Sequence, residues 1–131
     1  MKKIAIMSML AIAASSSFAQ KMTEQQFNKQ VKLYQEQISK DEIELKNREY
    51  PYNVQNIAAY QQALCRIWDT KMKIVDLTAD NRDINGALDL GNKTMEELIP
   101  AAAGMRNATN RTYAQYCRDI QILIDATGIQ K

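Results

Sequence analysis

The chain has 131 residues, with 17 Lys+Arg against 15 Asp+Glu, two Cys, four Gly, two Pro and no His, a length that suits one domain. The absence of His excludes Ser–His and Cys–His nucleophile pairs, histidine general bases and imidazole ligands for zinc or copper. Lys2 and Lys3 account for the whole basic excess, and no cluster of four Lys/Arg occurs, so phosphate neutralisation gives no support for nucleic-acid binding.

The first residues read as an export signal. Met1-Lys2-Lys3 is a short basic start, and the largely apolar stretch Ile4 to Ala14 has 11 residues, too few to span a bilayer comfortably. Ser17-x-Ala19 fits the small-residue rule for signal peptidase, which places the cut after Ala19. No Cys stands there to carry a lipid. The expectation is bacterial export to the periplasm or beyond, with residues 1–19 removed and no stable membrane insertion afterwards. Residues 20–131 then form a formally neutral helical domain of 112 residues, since 131 − 19 = 112. A chain of that size buries about two-thirds of its unfolded surface.

The period is helical throughout, with no alternating Val/Ile/Thr run. Thr23-Glu24-Gln25-Gln26 is a capping box, flanked by Met22 and Phe27 at hydrophobic-staple positions. Phe27, Val31, Tyr34, Ile38 and Leu45 make an apolar stripe on the first helix, expected to stop near Glu49 because Tyr50 precedes Pro51. Asn53 caps a second helix whose expected stripe is Val54, Ile57/Ala58, Leu64/Cys65, Trp68, Met72, Val75 and Ala79. A third helix is expected from about Thr94 to Thr127, with Gly128 as its stop. Its stripe, from Met95 and Leu98/Ile99 through Tyr116/Cys117 to Leu123/Ile124, has a coiled-coil-like heptad rhythm.

Facing residues of an antiparallel hairpin have sequence numbers that add to a near-constant value. Cys65 and Cys117 give 182, a turn centred on Gly91-Asn92, itself a helix-breaking pair. An oxidising compartment and an even count favour a Cys65–Cys117 disulfide. The same register sets Trp68 beside Tyr113, and Pro100 opposite residue 82 in the polar cluster Asp80-Asn81-Arg82-Asp83. Residues 80–103 are therefore expected to form a bent or subdivided tip beyond a cross-linked stem. The fold expected is an all-α, antiparallel three-helix up-down-up bundle: a long helical hairpin plus an N-terminal helix, with one inter-helix disulfide.

Little in the sequence carries chemistry. Residues 81–92 resemble part of an EF-hand loop, with Asp83, Asn85, Gly86 and Asp89 at loop positions three, five, six and nine. Asn81 and Asn92 replace the first and twelfth ligands, and the reading favoured is an ordinary Asp/Asn/Gly turn. The carboxylates Asp41/Glu42/Glu44 and Glu96/Glu97 read as solvated helix faces. Ser39, the one Ser after the signal segment, has no His to activate it. Three Asn-x-Thr sequons, at Asn92, Asn107 and Asn110, reflect composition in a bacterial protein. The Trp68/Tyr113/Tyr116 cluster reads as core filling. No catalytic residue, metal or cofactor is expected.

The function expected is a non-enzymatic, exported helical module for protein–protein interaction, such as an envelope assembly factor, chaperone or accessory part of a surface machine. The alternative is an inhibitor or immunity protein acting on an envelope-directed enzyme such as a cell-wall hydrolase. The expected partner is another envelope protein, with homo-oligomerisation open. The candidate surface is the tip, where Ile84, Leu88, Leu90, Met95, Leu98 and Ile99 crowd between Gly86, Gly91 and Pro100. So short and interrupted a segment should leave part of that set exposed.

Overall fold

The computed structural model describes residues 21–48 and 53–129. The expected signal segment and the Tyr50-Pro51 helix stop fall outside the described residues. Those residues form four helices and no strand: α1 Glu24–Asn47, α2 Val54–Asp80, α3 Ala87–Thr109 and α4 Tyr113–Thr127. α2 is the central element. α1 packs along it as one arm, and α3 and α4 pack on it in succession as the other. The all-α class and the disulfide hold, and the third helix of the expected bundle is two helices.

α1 begins where its sequence sets it to begin. Thr23 Oγ1 accepts from Gln26 N while Gln26 Oε1 accepts from Thr23 N, so two backbone donors left open at a helix start are satisfied reciprocally. Phe27, one turn in, is buried. α1 runs antiparallel to α2 along nearly its whole length. Arg48 donates to Asn56 near one end. At the other end Met22 N donates to Asn81 Oδ1 at 3.0 Å, and Lys21 pairs with Asp83 at 2.6 Å. The start of α1 is thereby tied to the α2–α3 turn.

Midway, Asp41 is buried against α2. Its carboxylate accepts from Arg66 Nε at 2.8 Å and from Gln37 Nε2 at 3.0 Å, and Arg66 Nη2 also donates to Glu44 at 2.5 Å. The reading of Asp41 and Glu44 as solvated is thus corrected. Asp41 fills the seven-residue gap between Ile38 and Leu45 in the α1 stripe, a core position that a carboxylate occupies because a partner guanidinium reaches it.

The buried face of α2 is not the large-residue stripe expected. It is Ala59, Ala63, Thr70, Ile74 and Thr78, mostly small side chains. The matching face of α3 is Ala87, Gly91, Thr94 and Leu98, again small, at spacings of four, three and four. Small residues let two helix backbones approach closely, and the two Thr hydroxyls at this contact are satisfied within their own helices: Thr78 donates to Val75 O and Thr94 to Leu90 O.

The tip is much shorter than residues 80–103. The turn is 81–86, and α3 starts at Ala87 after Gly86 at φ +80°, a left-handed conformation that glycine adopts freely. Gly91 is therefore inside a helix, where a Cβ would lie 2.4 Å from Thr78 Oγ1. Pro100 is also helical, without ending α3.

The register explains how the disulfide formed although the turn is not at Gly91. Close to the turn, Thr78–Gly91 and Lys71–Glu97 add to 169 and 168, a midpoint near residue 84. Farther down, Trp68–Tyr113 and Cys65–Cys117 add to 181 and 182. The return arm thus carries about 13 residues that α2 does not match, taking 182 − 169 from those same pairs. They are the second half of α3 and a corner at 110–112, where Asn110 sits at φ 54° and ends the helix. Past Leu98, no residue of α3 is buried. α4 then restarts with a second capping box, Thr112 with Gln115.

Candidate interaction surface

α3 presents three kinds of side chain around its circumference. Ala87, Gly91, Thr94 and Leu98 face α2. Leu90, Lys93 and Glu97 line a groove toward α1, whose opposite wall includes Gln35, Ile38 and Glu42. On the far side Leu88, Met95 and Ile99, spaced seven and four apart, form one exposed apolar row, with relative exposures of 56%, 36% and 59%. Of the six candidate residues, the structure brings these three together. Ile84 is half-buried in the turn and Leu90 is half-buried on the α1 side. Leu98 is corrected: at 3% exposure it belongs to the α2 interface and is not available to a partner.

The row continues down α3 into a shallow cavity of about 370 Å³, lined by Ala102, Ala103 and Arg106 of α3, Trp68 and Met72 of α2, and Tyr113. The Trp68 and Tyr113 rings stack in parallel at its floor, 4.0 Å between centroids. Sequence reasoning assigned these aromatics to core filling. They do fill space, Tyr113 being buried and Trp68 half-buried, yet one side of the stack opens to solvent. Burial, then the neighbouring Tyr116 and Tyr60, push the Tyr113 hydroxyl above the ordinary tyrosine value, and burial does the same for Tyr116. Both phenols are therefore neutral donors at physiological pH, and Tyr116 donates to Gln61 at 2.5 Å.

Met72 on the cavity wall identifies the α2 bank of this surface. Val75 and Ala79 follow it at spacings of three and four, on the same α2 face. Met72 and Val75 are half-buried and Ala79 is exposed. This face was part of the expected α2 core stripe. Among the described residues it lacks a cover, because α4 begins level with Trp68 and runs away from the tip. The residues overlooked were thus visible in the sequence as hydrophobic, but their assignment to the core assumed a third helix of full length.

Elsewhere the surface is ordinary. Asp83 is held below its usual carboxylate value by the Lys21 ammonium, and Lys73 above its usual value by Asp69, both as exposed ion pairs. The partial EF-hand pattern is not a loop beyond its sixth position, since residues 87–92 are helical, and Asn81 and Asp83 hold Met22 and Lys21. Among the described residues no group of three or more His, Cys, Asp or Glu could hold a metal ion, and no helix is long and apolar enough to cross a membrane. Comparison with family models, curated proteins and solved structures finds no match for the chain.

Proposed function

We propose that this is an exported, non-enzymatic protein–protein interaction module of the bacterial envelope, acting as an assembly factor or accessory component, with the outer face of α3 as its contact surface. The observation that carries this reading is the continuous apolar row Leu88–Met95–Ile99 opening onto the Trp68–Tyr113 cavity. Exposed apolar patches of this kind, rimmed by polar residues, mark partner sites. Export rests on the basic, apolar and small-residue order of residues 1–19 and on a disulfide suited to an oxidising compartment.

A photo-reactive amino acid placed at Leu88 or Ile99 in the native host tests the contact surface. Cross-linking to one envelope protein is expected from these positions and not from Lys32 on α1. Equal labelling at all three sites, or none, rejects the reading. Export is tested separately by the intact mass of the envelope protein, which should begin at Gln20. Retention of Met1 in that material would falsify it.

A further inference from the structure

The uncovered surface has a defined shape, and its banks have a defined charge. α2 has 27 residues and α4 has 15. Because Tyr113 stacks on Trp68 at the very start of α4, α4 covers its side of α2 only below Trp68. Among the described residues, no helix lies on that side of residues 69–80 of α2. At about 1.5 Å per residue this is roughly 18 Å, or about three helical turns. The space is a notch with two apolar walls, Met72/Val75/Ala79 on α2 and Leu88/Met95/Ile99 on α3, and it continues the line of α4 toward the tip.

The outer edge of each wall is acidic. On α2, Asp76 and Asp80 lie one turn apart beside Val75 and Ala79. On α3, Asp89 and Glu96 lie one heptad apart beside Leu88 and Met95. All four are exposed, and among the described residues none of them forms an ion pair, while Lys71, Lys73 and Lys21 are each engaged elsewhere. Of the nearby cations, Lys93, one turn from both Asp89 and Glu96, lines the opposite groove toward α1, Arg82 lies in the turn beyond Asp80, and Arg106 lies at the lower end of the notch, where the C-terminal carbonyls of a docked helix would meet it.

We infer that the notch receives an amphipathic partner helix of about three turns, apolar on one face and basic on its flanks, which completes a four-helix bundle at the tip end of the molecule. The inference rests on the contact surface proposed above and adds the chemistry of its occupant. Apolar insertion between the two walls supplies affinity. Lys or Arg on the partner's flanks meets Asp76/Asp80 on one bank and Asp89/Glu96 on the other, which sets specificity and orientation.

Trp68, the one tryptophan of the chain, lies at the floor of the notch and reports occupancy directly. The test titrates the processed full chain with a 14-residue helical peptide carrying a Leu stripe and Lys flanks, with no aromatic residue. An otherwise identical peptide has Glu flanks. The Lys peptide is expected to shift Trp68 emission saturably, with affinity about tenfold or more above the Glu peptide. Ile99→Ser is expected to weaken binding of the Lys peptide, and Asp89→Lys with Glu96→Lys to invert the preference. All three residues are exposed, so the fold tolerates these changes, and circular dichroism checks that it does. Equal affinity for the two peptides, or a preference that the double reversal does not invert, overturns the inference. So does a concentration-dependent dimer that Ile99→Ser abolishes, because the occupant is then a second copy. Photo-cross-linking at Ile99 to an envelope protein without any peptide preference overturns the basic helix alone and leaves the contact surface standing.

Discussion

Gly91 stands inside α3, in its second turn, where glycine costs about 1 kcal/mol relative to alanine. The compensation is steric: the buried Thr78 hydroxyl occupies the place of the missing Cβ, 2.4 Å from where it would be. Gly91→Ala should therefore destabilise the protein by about 1–2 kcal/mol, overpacking exceeding the gain in helix propensity. Adding Thr78→Ala, which removes the obstructing oxygen, should recover part of that loss. Thermal unfolding of the two single variants and the double variant measures the coupling, and strict additivity would refute the contact. Tyr113 offers a second residue-level test. Its folded value is raised above 10.0, chiefly by burial, so the unfolded chain loses this proton first. The sign follows: stability is intact below 10.0 and falls as pH rises through that value toward the raised one. Tyr113→Phe has no proton to lose and should flatten the decline in urea midpoint between about pH 9 and pH 11. An unchanged decline would show that Tyr113 does not drive it. Tyr116, raised in the same direction, leaves a residual slope.

At the scale of elements, helix starts that carry side-chain caps are written in the sequence. Thr23 with Gln26 and Asn53 both announce helices that form as expected. Thr112 with Gln115 is the same signal, masked in the sequence because apolar residues recur at helical spacing on both sides of 110–112 and periodicity alone cannot register a break. Gly91-Asn92 misled in the opposite sense. A glycine chosen for close packing against Thr78 has the same one-letter appearance as a glycine chosen for a turn. The small core face of α2 was illegible for a related reason, since Ala and Thr carry little hydrophobic signal while they permit the closest helix approach. The disulfide was legible from the even cysteine count, although the register that supports it in the sequence assumes an unbroken return helix. That bond now has a specific job. α4 buries only Tyr113 and Ile124, so Cys65–Cys117 supplies much of its attachment, closing a separation of 52 residues, a constraint worth about 4 kcal/mol on the chain-entropy account. Reduction, or Cys65→Ser with Cys117→Ser, should raise backbone hydrogen exchange in α4 well before exchange rises in α1 or the first half of α3. Uniform loss of protection across all four helices would show instead that α4 is integral to one cooperative unit.

For the molecule as a whole, neighbouring residues of α3 serve opposite surfaces, and this separates stability from contact. Leu98 points into α2 and Ile99 points away from it, one position and about 100° around the helix apart. Leu98→Asp buries a carboxylate with no partner and should cost about 3 kcal/mol or more, enough to unfold much of a marginally stable chain. Ile99→Asp and Leu88→Asp place a charge in water and should change the melting free energy by no more than about 0.5 kcal/mol. If the outer row exists for a partner, the same two exposed substitutions should abolish cross-linking from the remaining α3 position while helicity and melting temperature hold. An α3 whose outer row were only incidental surface would give partner capture indifferent to Ile99→Asp. An α3 whose outer row were core would give Ile99→Asp the unfolding expected of Leu98→Asp. Denaturant melts of the three variants, read beside their cross-linking yields, distinguish these outcomes.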